Sequence, residues 1–123
     1  MDSRSHRTFA KRERLCGKAA ISRLLTEGRS GYAGCLRYCF LSGNGEDCDR
    51  IMVSVPKKLF RRAVKRNLLK RRMRESFRLQ KEKLGLSEHA DMMLVYNVRD
   101  IRPFGEIFSS VGKVLENVSN ARK

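Results

Sequence analysis

Residues 57–78, KKLFRRAVKRNLLKRRMRESFR, decide how this chain is read. Eleven of these residues are Lys or Arg, and only Glu75 is acidic. No Gly or Pro interrupts them, so propensity predicts one long helix across the stretch. At about 100° per residue the helix sorts into faces. Leu69, Met73 and Phe77 form an apolar stripe with small Ser76 beside it. Roughly opposite lie Ala63, Asn67, Lys70, Arg71, Arg74 and Arg78, flanked by Arg61, Lys65 and Arg72. Crowded like charges cost a few tenths of a kcal/mol per i,i+4 pair. A merely solvated face would mix Lys with Glu. This one favours Arg, whose planar fork matches phosphate, so the expected ligand is a nucleic acid.

Working outward, the segment from Gly17 to Glu27 carries Ala20, Ile21, Leu24 and Leu25 at helical spacing, with Gly28 as the stop. Arg29-Ser30-Gly31 reads as a turn, with a short strand near Tyr32. From Leu36 to Leu41 the apolar face is Leu36, Tyr38 and Phe40, while Arg37 and Cys39 point the other way. Residues 42–47, SGNGED, read as a hairpin loop, and Ile51, Val53 and Val55 mark the returning strand. Leu84 to Glu88 is a connector. Residues 92–98, MMLVYNV, suit an internal strand. Pro103 opens a last helix with an apolar stripe of Phe104, Ile107, Phe108, Val111 and Leu115. The reading is a single α+β domain over residues 14–118, in α-β-β-β-α-β-α order. Residues 1–13 are expected to be a mobile basic arm and 119–123 a tail.

The 123 residues carry a formal net charge of +15, a field that draws in polyanions. No apolar run approaches a membrane span, and the N-terminus lacks the apolar core of a signal peptide. The expectation is a cytoplasmic protein that does not engage membranes. Cys16, Cys35, Cys39 and Cys48 lack zinc-ligand spacing and are expected to be reduced thiols, with Cys35 and Cys39 on one strand face. A self-sufficient nuclease needs an acid–base pair or a carboxylate cluster. His6 and His89 fall in the arm and a connector, Asp47 and Asp49 in a loop, and Asp91 and Asp100 flank a strand. No catalytic or metal-binding residue is assigned. The residues describe a binding protein.

One pattern is more specific. Ala63-Val64-x-Arg66-Asn67-x-x-Lys70-Arg71-x-x-Arg74-Glu75, preceded by Ser54-Val55-x-Lys57-Lys58, resembles the signature of the bacterial ribonuclease P protein subunit. Weaker agreement runs from Arg14 to Leu115. Pro56 departs from the Ser common in that family.

The resemblance implies a two-layer, ribosomal-protein-like fold around a four-stranded mixed sheet, with a left-handed strand–helix–strand crossover. It implies a ribonucleoprotein endoribonuclease that removes the 5′ leader of precursor tRNA. The chemistry would lie on a catalytic RNA, Mg²⁺ would be held mainly by that RNA, and no organic cofactor is needed. The protein would be a monomer within the particle. Lys57, Lys58, Arg62, Lys65, Arg66, Asn67, Lys70, Arg71, Arg74 and Arg78 are the expected contacts to the catalytic RNA. A cleft between the first helix and the sheet would take the leader. Where the family offers two Phe, this chain has Ile21 and Leu25, so Tyr38 or Phe40 is expected to supply aromatic surface. The competing readings are a ribosomal or ribosome-assembly RNA-binding protein and a DNA-binding regulator. A hairpin ahead of the basic helix argues against the regulator.

Overall fold

The computed structural model describes residues 13–46, 48–84 and 89–121. Residues 1–12 of the expected arm, Asp47 and most of the 84–88 connector lie outside the described residues. Three helices and four strands follow in the order α1 (Lys18–Glu27), β1 (Arg29–Ala33), β2 (Leu36–Ser42), β3 (Arg50–Ser54), α2 (Ala63–Gln80), β4 (Ala90–Tyr96) and α3 (Phe104–Ala121). A 3-10 turn over Lys81–Leu84 extends α2. The last helix therefore runs past residue 118, the expected domain limit.

The sheet order is β1-β2-β4-β3, antiparallel except for the parallel β3–β4 pair. Two local expectations fail here. Residues 29–31 are strand, not turn, and the tight hairpin joins β1 to β2 through Gly34 and Cys35, with Ala33 facing Leu36. Gly34 has φ +57°, which a glycine adopts without strain at the first central position of such a turn. The 42–47 segment is not a hairpin, because β4 lies between β2 and β3. Its backbone instead secures the start of β4: the Gly43 and Asn44 amides donate to His89 O at 2.8 and 3.0 Å. The most apolar strand, β4, takes one of the two central places, where both of its edges are paired.

Period-two alternation then sets two faces. Leu36, Tyr38, Phe40, Ile51, Val53, Met92, Leu94 and Tyr96 pack against Leu69, Met73 and Phe77 of α2 and Ile107, Val111 and Leu115 of α3. Burying each large apolar side chain contributes roughly 1.5–3 kcal/mol. Gly112 lets α3 approach α2, since a Cβ there would come within 2.6 Å of Gln80 Oε1. On the opposite face α1 seats Leu24 against Cys39, with Leu41, Met52 and Met93 around them. Cys35 and Cys39 consequently do not share a face. Cys35 sits in the turn beside Ser110 of α3, whereas Cys39 Sγ reaches Leu24 O of α1 at 3.4 Å.

Glu13, inside the expected mobile arm, is only 7% exposed. Lys81 Nζ lies 2.9 Å from both of its carboxylate oxygens. Arg14 bridges to Ile51, and the Leu15 amide donates to Ile51 O at 2.8 Å. This short segment covers the outer edge of β3.

Candidate nucleic-acid interface

The cationic helix begins at Ala63, six residues later than propensity predicts. Pro56 O accepts the Leu59 and Phe60 amides, making a turn that drives Phe60 into the core, 5.8 Å from the Tyr96 ring. Burial of that ring outweighs the helical propensity of residues 57–62. Lys57, Lys58, Arg61 and Arg62 are thus exposed around the approach to the helix. The first turn of α2 holds no acidic residue and no side-chain cap, so the positive end of its dipole adds to these charges.

Along α2, Asn67, Arg71, Arg74, Glu75 and Arg78 line one shallow depression of about 360 Å³. This brings together four residues of the stripe drawn from the helical wheel. Arg74 is half-buried, and its pKa is lowered, first by burial and then by the nearby Arg14 charge. A partly buried cation beside a second, exposed one favours an anion near them. Arg14 is a neighbour that sequence reasoning left out of the site. The signal for it in the sequence is Leu15, an apolar residue closing the charged run at residues 11–14, KRER.

The other predicted contacts divide. Lys65 is exposed and Lys70 half-buried. Arg66 is committed locally: its Nη1 donates to Phe60 O at 2.8 Å and to Arg61 O at 2.7 Å, pinning the turn. Arg72 donates to Arg102 O at 2.7 Å, tying α2 to the segment before α3. Arg78 hydrogen-bonds Glu75 one turn earlier, with 3.0 Å between Nε and Oε2. That bond, outweighing burial, holds the Glu75 carboxyl below its ordinary pKa.

The family model for Ribonuclease P matches residues 9–119. The chain belongs to that family. The Ribonuclease P protein component of Porphyromonas gingivalis is 40% identical over 79 residues, which is 63% of this chain and 58% of the relative. The match therefore spans little more than half the length of that protein. The component from Chlorobaculum tepidum is 35% identical over 122 residues, covering 86% of this chain and 79% of the relative. Among solved structures, an RNase P protein mutant from Staphylococcus aureus matches with TM-score 0.74 at 25% identity, over 95% of this chain and 97% of that one. The RNase P protein from Thermotoga maritima shares the fold, with TM-score 0.72 at 24% identity over 85% and 96%.

Within this ribonuclease P fold the expected leader cleft needs correction. Tyr38 and Phe40 face α2 and α3 in the core, and the Tyr38 hydroxyl accepts from Asn117 Nδ2 of α3 at 3.3 Å. They lie on the sheet face opposite α1 and cannot line a cleft beneath it. One-residue parity puts Arg37, Cys39 and Leu41 on the α1 side instead. Ile21 and Leu25 do share a shallow depression of about 400 Å³ with Lys18, Ser22 and Thr26. Leu25 is 58% exposed there.

The described carboxylates do not fit a Mg²⁺ site on this chain. Asp91 accepts from Arg50 Nε and Nη2, each at 2.8 Å, and from Asn44 Nδ2 at 3.0 Å. Asp49 accepts the Ala90 amide at 2.8 Å, Glu13 pairs with Lys81, and Glu75 pairs with Arg78. Among the described residues, no three His, Cys, Asp or Glu side chains converge. No described helix is long and apolar enough to cross a membrane.

Proposed function

We propose that this chain is the protein subunit of a ribonuclease P that removes the 5′ leader of precursor tRNA. It binds a catalytic RNA through the α2 face and the leader through the α1 side of the sheet. The observation that carries the reading is the depression lined by Asn67, Arg71, Arg74 and Arg78, in a chain that belongs to the Ribonuclease P family. Arginine forks and an amide at helical spacing suit successive phosphates and base edges of structured RNA. The protein acts as a monomer in a cytoplasmic ribonucleoprotein. Mg²⁺ is supplied with the RNA, which cuts, while the protein lowers the repulsion between two polyanions.

Reconstitution with the cognate catalytic RNA and a precursor tRNA tests this. The expected result is leader removal at lower Mg²⁺ with protein than without it, and none by RNA-free protein. Cleavage by the protein alone would overturn the reading. So would selective association with ribosomal RNA, which marks an assembly protein.

A further inference from the structure

The α1 side of the sheet is only partly covered. Leu24 of α1 sits over the row formed by Cys39, Met93 and Met52. One row further along, register aligns Tyr32 with Arg37, Arg37 with Val95, and Val95 with Ser54. Directly opposed residues point to the same face, so these four side chains make one strip beside α1. Tyr32 is 70% exposed and Arg37 is exposed. Among the described residues, neither side chain has a hydrogen bond or ion pair. An aromatic ring and a cation, adjacent on an open sheet face of a +15 chain, are complementary to single-stranded RNA. The ring accepts a base face and the guanidinium the neighbouring phosphate. Because α2 packs on the opposite sheet face, this strip is separate from the Asn67–Arg78 depression.

We infer that Tyr32 and Arg37 are the stacking and phosphate-gripping residues for a single-stranded RNA segment, taking the part that Tyr38 and Phe40 cannot. The inference rests on the proposed role in leader processing and names the residues that hold the leader. Tyr32 lies on an edge strand outside both core clusters, so its replacement leaves the fold intact.

The test uses the reconstituted holoenzyme with a precursor tRNA bearing a long leader and with mature tRNA. Tyr32→Ala should weaken precursor binding on the order of tenfold while leaving mature tRNA affinity alone. Tyr32→Phe, which keeps the ring, should bind like the unaltered protein. Arg37→Gln should reduce the slope of log affinity against log salt by about one unit for the precursor only. Unchanged precursor binding by Tyr32→Ala, or an equal loss on mature tRNA, would overturn the assignment. Particle assembly, measured separately with Asn67→Ala, reports on the broader functional reading and does not depend on this strip.

Discussion

Arg71 and Arg72 are adjacent in the chain but serve different ends. Arg71 lines the open depression, whereas Arg72 is spent on the Arg102 carbonyl. Asn67→Ala and Arg71→Ala should each weaken assembly with the catalytic RNA by about 1–3 kcal/mol, as charge-assisted contacts do. Arg72→Ala should instead lower stability by about 1 kcal/mol and leave RNA affinity nearly unchanged. Filter binding and thermal melts on the three variants check this, and equal binding losses would favour general charge density over a defined stripe. Glu75 sets a second residue-scale expectation. Its carboxylate pairs with Arg78 and places a negative charge on the stripe, so Glu75→Gln should tighten RNA binding and steepen the salt dependence. The linked pH effect has a definite sign. Because the folded pKa is depressed, the pair's contribution is present above the ordinary carboxylate range. It fades as pH falls toward the lowered value. The partial exposure of Glu75 keeps that contribution small, so acid melts of wild type and Glu75→Gln should converge.

At the scale of elements, the proposed function places the RNA contacts on α2. For about six phosphate contacts, affinity for the RNA should fall on the order of a thousandfold between 50 and 200 mM salt. A nearly flat salt series would remove the helix from the interface. The stripe itself was legible because helical periodicity is local: Leu69, Met73 and Phe77 inward fixes Asn67, Arg71 and Arg74 outward. Three features were not legible, each for a non-local reason. The helix start depends on where Phe60 is buried, which residues 57–62 do not encode among themselves. Strand order depends on which strand most needs two neighbours, so the Asn-Gly loop reads as a hairpin although β4 separates its flanks. The alternation of β2 is legible too, and puts Tyr38 and Phe40 together on one side. Which helices cover that side is decided by the register with β4, and they turned out to be α2 and α3.

For the whole molecule, a charge of +15 is a standing strain that anions relieve. Sulfate should raise the melting midpoint above that in chloride at matched ionic strength, because a ligand stabilises the state it binds. Identical midpoints in circular dichroism melts would argue against discrete anion sites. In the proposed function the two sides of the sheet divide the tasks, α2 facing structured RNA and the α1 side a flexible strand. The short pairing of Arg14 and Leu15 on β3 has a consequence for how the molecule ages. Proteolytic nicking ahead of Glu13 leaves the β3 rim sheathed. Nicking beyond Leu15 removes the backbone bridge to Ile51 and empties the seat of a buried leucine beside it. A molecule trimmed that far should show an open β3 rim, the kind of edge on which a second chain can pair, and light scattering on a fragment lacking residues 1–15 should report that association.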